Sequence, residues 1–323
     1  MVDGGYELVI IGGGPAGLTA GIYASRSRLK CVLLEANPLV GGQAALTDIV
    51  ENYPGFEEPI NGFELTEKMR KQAERFGLEV RNEAVDRIDR AGEDFVVYTD
   101  KGEYPTEAII VATGSEPRHL GAPGEEELRG GGVTYCATCD GPLYKGMEVA
   151  VVGGGDSAVG EALYLTRFAG KVYIIHRRDR LRADGILSEQ AIADDKIEIL
   201  WDTVVTAIHG EEEVQHLHLK NVKTREESKL DVAGVFIYVG VKPNSEFLDG
   251  LLKLDNRGFI LTDDRLEASV RGIFAAGDCR SKALKQIATA VGEGATAAFV
   301  ANEYIQERRH KRAETESLGY DHT

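Results

Sequence analysis

Apolar residues recur along this chain in two alternating rhythms. Short runs rich in β-branched residues stop abruptly at glycine, and stretches with apolar positions three or four apart follow them, the pattern of strands alternating with helices. Tyr6 to Ile11 is the first run; it ends at Gly12-Gly13-Gly14-Pro15-Ala16-Gly17, after which Leu18 to Ser27 reads as a helix. Cys31 to Leu34 forms the next strand and leads into Glu35. Gly41-Gly42-Gln43 and Val50 to Phe56 read as loop, Gly62 to Phe76 has helical spacing, and strand-like segments follow at Leu78 to Ile88, Asp94 to Thr99 and Glu107 to Val111. Glu116 to Gly132, with its prolines, glycines and acidic residues, reads as a crossing into a second domain.

The pattern then starts again. Glu148 to Val152 repeats the opening strand, Gly153 to Ala158 its turn, and Val159 to Phe168 its helix. Strands continue at Ile197 to Leu200, Val214 to Val222 and Val232 to Val239. The last runs into Gly240-Val241-Lys242-Pro243-Asn244, which echoes the Ala112-Thr113-Gly114-Ser115-Glu116-Pro117 turn of the first half. Gly272 to Asp278 is a further strand, Lys285 to Ile305 a helical run, and the charged tail Gln306 to Thr323 lacks apolar periodicity and is expected to fray. This order predicts an α/β protein of two Rossmann-like dinucleotide-binding domains, the second inserted into the first. The expected divisions are residues 1–117, 118–245 and 246–323, with the outer two forming one domain.

The two glycine turns carry the first chemistry. Gly12 permits a tight turn, Gly14 lets backbone approach a pyrophosphate, Gly17 allows close helix packing, and the helix N-terminus faces the negative charge. Glu35, at the end of the following strand, can accept both ribose hydroxyl protons of an adenosine. In the second copy the same interval of 23 residues leads from Gly153 to His176, so the acid is missing, and Arg177, Arg178 and Arg182 follow. A 2′-phosphate would be repelled by a carboxylate and attracted by guanidinium groups. Two charge-assisted hydrogen bonds at roughly 1.5–3 kcal/mol each give on the order of a hundredfold preference for NADPH over NADH.

Cys136-Ala137-Thr138-Cys139-Asp140 lies just before that second turn. A CxxC pair can close a small, easily reduced disulfide, and its place beside a dinucleotide turn points to electrons passing between nucleotide and sulfur. A zinc half-site or an inert pair are the alternatives. Zinc usually wants a second CxxC or a histidine pair at short range, so no metal is expected. Cys31 reads as a small core residue and Cys279 as non-catalytic; of the seven histidines only His176 sits in a motif.

Charge and composition narrow the class. With 37 basic and 53 acidic residues the net charge is −16, which disfavours nucleic acid and anionic membrane as partners. The first apolar run is too short for a signal-peptide core or a membrane span, and four cysteines do not make a disulfide framework, so a cytoplasmic protein is expected.

The segments GGQ, VENYPGF, CATCD, GGGDSA, HRRDRLRA and FAAGD occur in an order and spacing that resemble the low-molecular-weight thioredoxin reductases of the prokaryotic type, FAD flavoproteins of the pyridine nucleotide-disulfide oxidoreductases. The resemblance runs from about Tyr6 to Ile305. It implies FAD contacts at Gly12, Gly14, Ala16, Gly17, Glu35, Gln43, Asn52, Gly114 and Asp278, with Gln286 and Ile287 at the flavin. It implies NADPH contacts at Gly153, Gly155, Ser157, Ala158, His176, Arg177, Arg178 and Arg182. In such a protein Cys139 faces the flavin, Cys136 attacks the disulfide of thioredoxin or a thioredoxin-like protein, and Asp140 is the general acid. Lys285-Gln286-Ile287 departs from the Arg-Gln-Ala frequent in the family. A homodimer is implied, as is rotation of the inserted domain about crossings near Glu116 to Leu120 and Pro243 to Phe247.

Two rivals remain open. The reductase partner of an alkyl hydroperoxide peroxidase shares this core but carries an extra N-terminal redox domain, whereas this chain is expected to start directly at its first strand; a separate small thiol carrier could still connect it to a peroxidase. A nucleotide-binding redox sensor would need neither the arginine cluster nor Asp140.

Overall fold

The computed structural model describes residues 5–47 and 50–320, with side chains to residue 314. These residues divide into two compact units, one built from the chain up to Glu116 and from Lys242 onward, the other from Pro117–Val241.

The first unit opens with β1 (Tyr6–Ile11), α1 (Pro15–Arg26) and β2 (Cys31–Glu35). Proline at the first helical position is pre-set for helix geometry, so α1 begins before Leu18 and takes Ala16 and Gly17 into its first turn. Gly42–Ala45 forms a one-turn helix, α2, where a loop was expected at Gly41-Gly42-Gln43. Helix α3 (Gly62–Arg75) starts at Asn61, whose side chain accepts hydrogen bonds from the backbone N–H groups of Phe63 and Glu64. The expected single segment Leu78 to Ile88 is two strands, β3 (Glu79–Asn82) and β4 (Val85–Ala91), followed by β5 (Asp94–Thr99) and β6 (Glu103–Val111). Strand β6 is longer than its apolar run because its first half pairs with β5 and only its second half is fully apolar. Short strands β7 (Ser115–Pro117) and, later, β16 (Val241–Pro243) lie where the chain passes between units.

The inserted unit comprises β8 (Val133–Thr134), α4 (Ala137–Asp140), β9 (Glu148–Val152), α5 (Asp156–Leu165), β10 (Lys171–Ile175), α6 (Gly185–Ala193) and β11 (Ile197–Leu200). An antiparallel sheet of β12 (Thr203–Gly210), β13 (Val214–Asn221) and β14 (Glu227–Asp231) follows, then β15 (Gly234–Ile237). Its parallel sheet has the order β11-β10-β9-β15-β8.

The chain then completes the first unit with β17 (Ile273–Ala275), parallel to β6, and α7 (Ile287–Tyr320). The first sheet has the order β3-β2-β1-β6-β5-β4, with β17 joined to β6. Strand β1 is buried on both faces: Leu8 and Ile10 enter the core beneath α1, α3 and α7, while Val9 and Ile11 enter the opposite core with Phe95 and Val97. That double burial is why the sequence shows a continuous apolar run and not an alternating one. Strand β9 repeats the arrangement, with Ala150 and Val152 on one side and Val149 and Val151 on the other.

Gln306 to Tyr320 of the expected frayed tail are helix instead, and Asp321 to Thr323 lie outside the described residues. Helix α7 continues to Tyr320, because its charged residues have partners on the first sheet. Arg308, only 8% exposed, donates to Asp94 at 2.7 Å and to the carbonyl of Glu107 at 3.2 Å. Arg309 pairs with Glu7, and Arg312 with Asp94 at 3.2 Å. Among the described residues no helix is long and apolar enough to cross a membrane.

Candidate active site

In the first unit the turn after β1 is shaped by contacts that exclude side chains. Gly12 has φ +104°, and a Cβ there would meet the carbonyl oxygen of Ala112 at 2.4 Å. A Cβ on Gly17 would strike the Gly12 carbonyl oxygen at 1.9 Å, so the helix can approach the turn only without one. Gly14, by contrast, faces open space. Behind the turn the Glu35 carboxylate accepts from the N–H of Gly13 at 2.6 Å and of Asn37 at 2.8 Å.

Backbone next to two of the other expected residues approaches this turn. A Cβ on Gly42, beside Gln43, would lie 3.3 Å from Gly14 Cα, and one on Gly277, beside Asp278, would lie 3.0 Å from Ala16 Cβ. Asn52 donates to Gln286 at 3.0 Å across 234 residues of sequence. Gln286 and Ile287 lie at the start of α7, and Gly114 follows the end of β6 with φ +69°. Asp278 Oδ1 is buried without a directed hydrogen bond, although the Lys282 ammonium stands 3.1 Å away. Lys285 lies 4.0 Å over the Phe259 ring and donates to the Asp278 carbonyl; burial pushes its ammonium below the usual lysine range. Cys31 and Cys279 are both buried free thiols, and burial raises both above the usual thiol range.

In the inserted unit α5 begins at Asp156, earlier than Val159, so Ser157 and Ala158 fall in its first turn. Gly153 packs against Ala158: a Cβ there would meet Ala158 Cβ at 2.6 Å. His176 stands behind this turn as Glu35 does behind the first, its ring 2.4 Å from where a Gly154 Cβ would lie. It is 4% exposed, and its Nε2 is buried with no hydrogen-bond partner. Burial first, then the guanidinium groups of Arg182, Arg178 and Arg177, hold it below the usual imidazole range.

A cavity of about 440 Å³ opens beside this turn, lined by Gly153, Gly154, His176, Arg177, Arg182 and Tyr238 among others. Arg182 is fixed there by its backbone N–H, which donates to the Gly154 carbonyl at 2.6 Å, and its guanidinium approaches Gly155. Arg178 does not line the cavity. Of the three expected arginines, Arg177 and Arg182 line the cavity, and Arg178 is close enough for its charge to act on His176.

Cys136 and Cys139 are joined in a disulfide, Cα to Cα 5.3 Å, across the first turn of α4. Two residues not singled out in the sequence hold it. Thr134 accepts from the Cys136 N–H at 3.2 Å and donates its hydroxyl proton to the Asp140 carboxylate, tying that carboxylate to the disulfide turn. Tyr238 accepts from the N–H of buried Ala137 at 2.6 Å and is also among the residues that line the cavity, so one residue adjoins both the cavity and the disulfide turn. Burial holds its phenol well above the ordinary range. The Glu161 carboxyl on α5 is likewise raised by burial, and its Oε2 has no hydrogen-bond partner. Thr134 could have been suspected from its place two residues before Cys136. Tyr238, 101 residues from Ala137, left no local signal.

Residues 6–294 match the model of the pyridine nucleotide-disulphide oxidoreductases. The chain is 48% identical to a curated thioredoxin reductase of Bacillus subtilis (strain 168), over 94% of this chain and 95% of that protein. It is 43% identical to the thioredoxin reductase of Peptoclostridium acidaminophilum, over 93% and 97%. Among solved structures, a thioredoxin reductase from Streptococcus pyogenes MGAS5005 superposes with a TM-score of 0.90 at 45% identity, covering 94% of this chain and 98% of that one. The Lactococcus lactis thioredoxin reductase, described as in an FR conformation, matches with a TM-score of 0.65 at 46% identity over 94% and 99%. Two strand–glycine turn–helix units, an arginine-lined cavity and a closed CxxC disulfide thus coincide with sequence likeness along almost the whole chain: the protein belongs to the pyridine nucleotide-disulphide oxidoreductase family.

Proposed function

We propose that this protein is an NADPH-dependent reductase of a thioredoxin or thioredoxin-like protein disulfide. FAD is held by the first unit, residues 118–245 form the NADPH-binding domain, and Cys136–Cys139 is the redox-active disulfide. The observation that carries this reading is the closed disulfide linked, through Tyr238, to a cavity walled by His176, Arg177 and Arg182.

The residues present fit both nucleotides. In the first unit, open space at Gly14, the Glu35 carboxylate and the under-bonded Asp278 Oδ1 suit a pyrophosphate, a ribose and a polar flavin edge. In the second, the partnerless His176 Nε2 and the two guanidinium groups suit a 2′-phosphate. Bound FAD would relay two electrons between NADPH and the disulfide.

The chain's own residues then carry the thiol chemistry. In the reduced protein the Cys136 thiolate attacks the partner's disulfide; a mixed disulfide forms and the first partner sulfur leaves. Asp140, held by Thr134, supplies a proton to that leaving thiolate. Cys139 attacks Cys136 Sγ, expels the second partner sulfur and restores the Cys136–Cys139 disulfide. Both the disulfide and the second glycine turn belong to the inserted unit, so we read the two half-reactions as separated by rotation of that unit. Two relatives of nearly equal identity that match with TM-scores of 0.90 and 0.65 support more than one arrangement within the family. We read the working form as a homodimer, and a lone CxxC suits the reducing cytoplasm.

The test is steady-state NADPH oxidation by the FAD-loaded protein with thioredoxin, in parallel with NADH and with Cys136→Ser. NADPH-selective turnover lost in the variant is expected. NADPH oxidation without thioredoxin reduction would redirect the reading to another thiol carrier, such as one serving a peroxidase. Turnover retained by Cys136→Ser would refute it.

A further inference from the structure

The antiparallel sheet of the inserted unit carries three histidines that the redox chemistry leaves unused. Strand alternation buries Ile208, Leu217 and Leu219 on one face and turns His209, His216 and His218 to the other. His209 pairs directly with His216 across β12 and β13, and His218 follows two residues further along the same face. Ring centroids are 4.9 Å apart for His209 and His216, 4.4 Å for His209 and His218, and 5.4 Å for His216 and His218. One ligating nitrogen from each ring lies within 4.8 Å of the others.

We propose that His209, His216 and His218 form a binding site for a divalent transition-metal ion of the zinc class, with water in the remaining coordination position. Zinc bonds imidazole nitrogen at about 2.0–2.1 Å, which places tetrahedral ligand atoms roughly 3.4 Å apart. Closing the trio to that spacing takes modest side-chain rotation, and His209 and His218 are exposed and able to make it. Imidazole ligands select zinc, nickel, cobalt or copper over magnesium and calcium, which take oxygen. The surroundings favour a cation. Glu211, Glu212 and Glu213 form the exposed tip of the same hairpin, and Asp231 on β14 sits directly across from His216. Lys229, opposite His218, is the one cation on this face of β14 and is itself paired to Asp231 at 2.7 Å. The cysteines lack zinc-ligand spacing, and these three histidines meet only once the hairpin closes. A bound ion would clamp β12 to β13 on the face opposite their buried leucines.

The experiment uses the full-length flavoprotein, stripped with chelator and kept oxidised so that Cys136 and Cys139 offer no thiolates. Zn²⁺ is titrated in competition with a chromophoric chelator, and Co²⁺ is followed by its visible absorption. One ion per chain is expected, with affinity weakened about tenfold or more in His209→Asn and in His218→Asn. Co²⁺ should give the intense bands of a tetrahedral site, and His310→Asn on α7 should bind as the parent does. Absence of saturable binding to the parent protein would overturn the proposal without recourse to any variant. So would binding of undiminished affinity in the triple His→Asn protein.

Discussion

Replacing Arg177 and Arg182 together by alanine removes both guanidinium groups from the wall of the cavity beside Gly153. Each is expected to donate charge-assisted hydrogen bonds to a 2′-phosphate. Both side chains are exposed, so the lower end of the usual range applies, about 1.5 kcal/mol each. The pair sums to about 3 kcal/mol, on the order of a hundredfold in selectivity. The assay is kcat/KM for NADPH and for NADH with one thioredoxin concentration. NADPH efficiency should fall by about two orders of magnitude while NADH efficiency holds, bringing the ratio of the two near unity. Arg178→Ala serves as an internal control, because Arg178 does not line the cavity, and should change the ratio by less than about threefold. A double variant that keeps the parental preference would refute the assignment of this cavity to NADPH. A loss in Arg178→Ala as large as in the double variant would refute the division of labour among the three arginines.

Three further outcomes follow from the packing around the site. Tyr238→Phe leaves the buried Ala137 N–H without its acceptor and should cost about 1–3 kcal/mol in urea unfolding, while slowing reduction of the Cys136–Cys139 disulfide. Arg308→Met strands Asp94 beneath α7; because Arg312 still faces that carboxylate, a loss of about 3 kcal/mol is expected, the low end for a broken buried pair, and a loss under about 1 kcal/mol would mean α7 is not anchored there. Glu161→Gln tests a sign. Burial raises the Glu161 carboxyl above its ordinary 4.5, so its contribution is fully present below that pH and is lost as pH rises through the folded value. The variant should therefore match the parent near pH 4 and exceed it in stability at neutral pH, a gap that urea midpoints across that range would reveal.

What could be read from the chain was whatever is settled within one strand, one turn and one helix. The two glycine turns, Glu35, His176 and the CxxC all belong to such local units, and each lies where its motif predicts. The apolar pattern marks helix starts too late because Pro15 and Asp156 open their helices ahead of the first apolar residue. The C-terminal half of α7 was invisible for a different reason. Its stability comes from Asp94 and Glu107, about two hundred residues away, and charged contacts leave no apolar period. Thr134 and Tyr238 support the disulfide through backbone N–H groups, a role that any hydroxyl in the right place can fill and that residue type alone does not announce. The histidine trio likewise depends on the β12–β13 register, in particular on His209 facing His216.

The most direct measurement is a thiol count after anaerobic addition of NADPH. The FAD-loaded protein is mixed with one equivalent of NADPH, quenched in acid, denatured and alkylated, and the modified cysteines are mapped by mass spectrometry. Before NADPH two thiols should be found per chain, Cys31 and Cys279, since Cys136 and Cys139 are joined. Afterwards all four should be alkylated, with Cys136 and Cys139 the new pair. A count that stays at two while NADPH is consumed would contradict the claim that its electrons reach this disulfide.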